Sequence, residues 1–335
     1  MSAPSRGYQR LALATGIATF VLILVGGVVR VSDSGLGCGP AGSGLNGWPL
    51  CDGDVIPGFD LYTAIEFSHR MLGSVVGLLM LSLAVLAWRR YRGHRGLVRA
   101  TSGAFVLVVA QGLLGAATVE KNLDPVLVAT HLGLAMILLA LIVFIWRASR
   151  PEVIGAPAED GGPHFRGLTL AASSFLFLTI VAGGYMAGTQ NYGRADYQVG
   201  DGAHHACGKQ FPTCNGEFLP FGQARLVDIH LTHRVLMYVA SLLVIALVVV
   251  AVRRARSPRL VRMAWVALGL LTAQVLVGAL NVWLDEAEVL ITLHLMLSTL
   301  LWGHLMGLRW SLYPVAAPEG ERVPARQRPT EAATA

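Results

Sequence analysis

Eight stretches of about twenty mostly apolar residues dominate this chain, the length a helix needs to cross a ~30 Å hydrocarbon core. The pattern predicts spans over Leu11–Val31, Tyr62–Trp88, Ala100–Val119, Val126–Trp146, Leu168–Gly188, Val227–Val252, Met263–Leu284 and Val289–Leu308. In lipid every backbone polar group must find its partner inside the protein, so such runs fold as helices. Of 335 residues, 54% are hydrophobic and 14% charged, whereas soluble domains carry roughly a quarter charged residues. The first run is too long for a cleavable signal peptide and lacks a small-residue cleavage site.

Orientation follows from the basic residues. The N-terminus, the segments Arg89–Arg99, Arg147–Arg166 and Arg253–Arg262, and the C-terminal end hold 19 of the 26 Lys and Arg. Placing these segments inside predicts cytoplasmic termini, and topology alone then accounts for the net charge of +6 without nucleic-acid binding. Cys38, Cys51, Cys207 and Cys214 all fall in the two long outer loops. In an oxidising compartment they read as disulfides Cys38–Cys51 and Cys207–Cys214. A zinc site is the alternative, and it would need His204 or His205. Exchange of Cys38–Cys51 with a thiol redox partner is a further possibility.

The chain also repeats itself. Trp48-Pro-Leu-Cys51 through Pro57 recurs as Phe211-Pro-Thr-Cys214 through Pro220, 163 positions later. The same offset, within one, carries His69-Arg70 onto His233-Arg234, Gln111 onto Gln274, Gly115 onto Gly278 and His131 onto His294. Four spans per copy is an even number, so both copies enter the membrane in the same direction, related by an axis along the membrane normal. The expected fold is all-α, with eight transmembrane helices in two four-helix bundles. Residues 1–150 form the first bundle, 151–167 a cytoplasmic linker, 168–312 the second bundle, and 313–335 a disordered tail rich in Pro, Arg, Glu and Ala.

Ionisable groups within spans are costly and mark function by default. His69 and His131 fall at matched depth near the outer ends of their spans, and His233 and His294 repeat that placement. Facing helices of a bundle are a usual place for cofactor ligands, and a neutral imidazole is a good axial ligand for haem iron. Two histidine pairs therefore read as two haem sites, where other metals would want further ligands. Arg70 and Arg234 follow the ligands, either as propionate contacts or as interfacial arginines that snorkel. Gln111 and Gln274 read as interhelical hydrogen bonds. Gly26-Gly27, Gly112–Gly115 and Gly183-Gly184 would let helices or a flat macrocycle approach closely, and helix contacts need no ligand to explain them. Glu66 shares the helix face of His69 and is replaced by His230 in the second copy. It reads as a proton-exchanging group in a haem pocket, with an ion pair to Arg70 as the structural alternative. His204-His205 reads as a solvated loop pair, with metal binding as the alternative.

The pattern Gly26-Gly-Val-Val-Arg30, Ser34-Gly-Leu-Gly-Cys38, Trp48-Pro-Leu-Cys51, Glu66-x-x-His69-Arg70, Gln111-x-x-x-Gly115 and His131-Leu132 resembles the haem A synthase family. Gly183-Gly184, Cys207 and Cys214, His233-Arg234, Gln274-x-x-x-Gly278 and His294-Leu295 extend the resemblance over about residues 11–310. It implies a bacterial plasma-membrane oxidoreductase that converts the C8 methyl of haem O to a formyl group, giving haem A for terminal cytochrome oxidases. It further implies His69 and His131 as ligands of the substrate haem O, Glu66 as the catalytic acid, and His233 and His294 as ligands of a haem b cofactor. Expected partners are membrane lipid, the enzyme that makes haem O, an electron acceptor or thiol redox partner, and a second copy of the chain. The Cys38–Cys51 spacing is wider than the short loop expected of the family. Two other readings of the residues are a di-haem electron carrier of cytochrome b type and a non-catalytic haem transport or assembly protein.

Overall fold

The computed structural model describes residues 3–189, 202–254 and 257–317. Its eight long helices are α1 (Arg6–Val31), α2 (Leu61–Arg90), α3 (Arg95–Glu120), α4 (Pro125–Ala148), α5 (Gly162–Gly188), α6 (Arg225–Arg254), α7 (Pro258–Trp283) and α8 (Glu288–Ser311). All eight are long and apolar enough to cross a membrane, and the protein is a multi-pass membrane protein. Each expected span lies inside one helix, except that Leu284 falls one residue past the end of α7. Most helices run several residues past the apolar stretch, because caps and interfacial charges continue the hydrogen-bond ladder beyond the hydrocarbon. α5 is the largest case, starting six residues early at Gly162 with Pro163 in its first turn, where a missing N–H costs nothing.

Local chemistry sets several ends. Ser5 caps α1 through the Tyr8 amide, Asp60 caps α2 through that of Thr63, and Asp124 caps α4 through those of Val126 and Leu127. Each satisfies an amide that the helix itself leaves unpaired. Arginines occupy the last turns of α2, α4, α6 and α8, where a cation meets the negative end of the helix dipole.

Helices α1 to α4 pack in succession, with α1 also against α4; α5 to α8 pack in succession, with α5 also against α8. Helices α1, α4, α5 and α8 join the two groups. At this junction the Trp302 indole donates to the Met136 carbonyl at 2.7 Å, and the Trp310 indole to that of Ala140 at 3.1 Å. Leu78, Val106, Leu242 and Leu276 instead point outward and are largely exposed, as a lipid-facing surface requires.

The disulfide loops of the two groups carry the same local devices. Cys38–Cys51 and Cys207–Cys214 are disulfide-bonded, with Cα atoms 4.4 and 4.6 Å apart, so the zinc alternative for the cysteines is set aside. Trp48–Pro49 and Phe211–Pro212 are both cis. Cys51 bridges Asp54, and Cys214 bridges Glu217. On the opposite side, Ile154 pairs with Val315, and the Glu159 amide donates to the Ser311 carbonyl. The linker and the chain just after α8 are thereby tied together. Most of the expected tail, residues 318–335, lies outside the described residues.

Candidate functional site

The four membrane histidines sit in one recurring arrangement, each ring pressed against a glycine of the neighbouring helix. A methyl group at Gly26 would lie 2.9 Å from Cε1 of His69, at Gly115 3.5 Å from that of His131, at Gly183 3.1 Å from that of His233, and at Gly278 2.8 Å from that of His294. A side chain at three of these positions would displace the ring, so the glycines have a specific task beyond close helix packing. His69 and His131 lie within electrostatic range of one another, as do His233 and His294. All four rings are only partly buried.

Hydrogen bonds orient the rings of the second pair. His233 places Nδ1 3.0 Å from the Thr179 carbonyl, a contact that fixes the tautomer and leaves Nε2 as the free nitrogen. Gln274 places its amide nitrogen 3.1 Å from Nε2 of His294, while Nδ1 of His294 is buried without a partner. Gln111 donates to the His131 carbonyl at 2.9 Å, and Nδ1 of His131 is likewise buried and unpartnered. Both glutamines thus make the expected interhelical bonds. In the second pair His233 has a carbonyl partner behind its ring and a free Nε2, as an axial ligand needs, whereas Nε2 of His294 is occupied by the Gln274 amide.

Glu66 is almost fully buried, at 3% exposure. Its Oε1 accepts from Nε of Arg70 at 3.1 Å and forms a short ion pair with Nη2 of the same arginine. Its Oε2 accepts from the Cys38 amide at 2.8 Å. Gly37 makes that contact reachable, because its Cα packs directly on the α2 backbone at Tyr62. Arg70 is no snorkelling residue. Its Nη1 donates to the carbonyls of Gly47 and Leu50 inside the disulfide loop.

Arg234 does the equivalent work, donating to the carbonyls of Gln210, Pro212 and Thr213 while only 2% exposed. His230, the counterpart of Glu66, is buried and places Nδ1 2.8 Å from the Ala203 carbonyl.

The reading of His204-His205 as a solvated pair is corrected. His204 is buried at 8% exposure, and its Nε2 lies 3.0 Å from Oε2 of Glu286, with His205 Nε2 at 3.8 Å. Burial pushes His204 down to about 3, helped by neighbouring His205. Burial pushes Glu286 up to about 8, with Asp285 adding repulsion. At neutral pH this contact is therefore a hydrogen bond between neutral groups rather than an ion pair. Sequence reasoning passed over Glu286, although the 163-residue offset sets it against Leu123, and a carboxyl at an apolar position is a usable signal.

Comparison with known proteins gives these residues a context. The family model of cytochrome oxidase assembly proteins, COX15-CtaA, matches residues 58–306. The chain belongs to this family. The Heme A synthase of Symbiobacterium thermophilum is 32% identical over 324 residues, covering 92% of this chain and 97% of that protein. The Heme A synthase of Shouchella clausii is 30% identical over 261 residues, 76% of this chain and 79% of its own. That of Halalkalibacterium halodurans is 31% identical over 254 residues, 73% and 75% respectively.

Proposed function

We propose that this protein is an enzyme of haem A biosynthesis that oxidises the C8 methyl of haem O to a formyl group, supplying haem A to a terminal cytochrome oxidase. Family membership supports the pathway. The observation that carries the chemistry is the contrast between two alike histidine pairs, of which, among the described residues, only the first has a buried carboxylate, Glu66, one helical turn from a proposed ligand.

In this reading the chain forms two four-helix bundles, related by an axis along the membrane normal. Both termini are cytoplasmic and both sites lie toward the outer face. His69 and His131 hold the iron of the substrate haem O, with Gly26 and Gly115 leaving room for the rings. Turning the methyl into a formyl group takes up one oxygen atom and, counted against water, releases four protons and four electrons to an external acceptor; Glu66 exchanges the protons, and Arg70 and the Cys38 amide hold its carboxylate in place. His233 and His294 hold haem b, with the Thr179 carbonyl orienting the first ring. Ligation through Nε2 of His294 requires the Gln274 amide to give way. When bound, haem b supplies one-electron redox capacity, and the protein supplies position. Arg70 and Arg234 offer a propionate only the N–H groups that the loop carbonyls leave free.

A di-haem electron carrier accounts for the two histidine pairs equally well but gives no work to the difference between Glu66 and His230. Chromatography of the haems extracted after expression, with and without a haem O source, separates the readings. Haem A appearing only when both haem O and the intact protein are present supports synthesis. Permanent haem b in both sites, with no formyl-haem, refutes it.

A further inference from the structure

His204, His205 and Glu286 stand outside the haem sites, and their nitrogen and carboxylate donors lie within 4.8 Å of one another. Aligning the two outer loops on their first cysteines sets His204, three before Cys207, against Gly35, three before Cys38. The 163-residue offset sets Glu286 against Leu123. In the first half this place is a plain apolar contact, where a methyl at Gly35 would lie 2.9 Å from Cδ1 of Leu123. The turn itself is common to both halves. Asn122 and Leu123 have φ of 54° and 56°, and Asp285 and Glu286 both have φ of 60°. The fold thus needs the turn but not the donors, and the second half places three donors where the first has glycine and leucine side by side.

We propose that His204 and His205, each through Nε2, and Glu286, through its carboxylate, form a binding site for a divalent transition cation of the zinc class, with water completing the coordination. Two imidazoles and a carboxylate are a donor set that zinc takes readily, while magnesium and calcium want all-oxygen sites. Donors around tetrahedral zinc at ~2.0–2.2 Å stand about 3.3–3.5 Å apart. The observed separations of 3.0 and 3.8 Å bracket that value, so small side-chain rotations seat the ion. Two charges bear on the site. Asp285 is taken up by Lys209 at 3.3 Å. Arg30 lies within electrostatic range of His204 and opposes a cation, an effect offset once Glu286 gives up its proton to the entering ion and binds as carboxylate. A bound ion pins the α7–α8 turn to the segment before Cys207, next to Ala203, whose carbonyl receives His230.

The test uses the full-length protein in detergent, stripped with a chelator and equilibrated with zinc well in excess of protein. Metal is counted by elemental analysis, and thiols are titrated to exclude reduced cysteines as the binding groups. Wild type is expected to retain one zinc per chain. Glu286→Gln preserves shape and a hydrogen bond to His204 but removes the charged ligand, and should weaken binding tenfold or more, as even outer-shell changes do at metal sites. His205→Asn, at a partly exposed ring, should do the same, and it carries the test if Glu286→Gln fails to fold. Wild type without zinc, or both variants binding as wild type does, overturns the proposal.

Discussion

Gly278→Ala gives the most direct test of how the second histidine pair is built. The added methyl would lie 2.8 Å from Cε1 of His294, about 0.7 Å short of a comfortable ~3.5 Å carbon contact. The ring has little freedom to retreat: without haem, Gln274, one helical turn from Gly278, holds its Nε2 at 3.1 Å, and with haem bound the iron would take the place of that amide. Either the ring moves by most of that shortfall or α7 and α8 separate, an overpacking cost of about 1–3 kcal/mol. Alanine is the better helix former by about 1 kcal/mol, so the variant should still fold, and the damage should appear in coordination rather than expression. Purified Gly278→Ala should carry less haem b, or haem b whose visible and paramagnetic-resonance spectra have shifted toward the high-spin form. Gly115→Ala is the internal control. Its methyl would sit at an ordinary 3.5 Å from His131, and the haem b signals should match wild type. Unchanged haem b content and spectra in Gly278→Ala would show that His294 does not ligate the iron from this position.

Glu66→Gln keeps the size of the side chain and its bond from the Cys38 amide, and the His69–His131 pair is untouched. Haem O should still bind while its conversion falls by ~10² or more, the usual scale for loss of acid–base catalysis; normal haem A yields by chromatography would reduce Glu66 to a partner of Arg70. Replacing Cys38 and Cys51 by serine opens a loop whose carbonyls and amide hold Arg70 and Glu66. A loss of about 3 kcal/mol is expected for a loop of this length, read as a lower thermal midpoint in detergent, and an unchanged midpoint would mean that the arginine contacts alone hold the loop.

The parts of the fold that follow from one-dimensional chemistry were readable in advance. Apolar run length located all eight helices, and the confinement of the four cysteines to two long loops between spans anticipated both disulfides. The histidines were visible because an ionisable group in an apolar run has few innocent reasons to be there. Less was legible where a residue's job depends on what faces it. Gly26, Gly115, Gly183 and Gly278 looked like general helix-packing glycines, since nothing in sequence says that an imidazole on the next helix occupies the missing side chain. Arg70 and Arg234 read as propionate contacts or interfacial arginines, because the carbonyls that bury them belong to loops 20 or more residues away. Glu286 was hidden in a short turn, and its meaning emerges only when His204 is brought against it across a sequence distance of 82 residues.

The two halves also explain why a carboxylate at position 66 is not an architectural requirement. In each, an arginine on the helix holds the outer disulfide loop by its carbonyls, a task suited to a guanidinium, which spreads several donors in a fixed fork and stays charged. With the loop fixed, the residue four positions earlier meets loop backbone. Glu66 accepts from the Cys38 amide, whereas His230 bonds to the Ala203 carbonyl. The polarity of the bond is reversed, yet the helix is tied to the loop both times. A bond at this place is what the fold asks for, and an imidazole meets the request as well as a carboxylate does. The acid in the first half therefore needs another reason. Its position beside His69, in the half proposed to hold a haem that is changed rather than kept, supplies one in proton exchange.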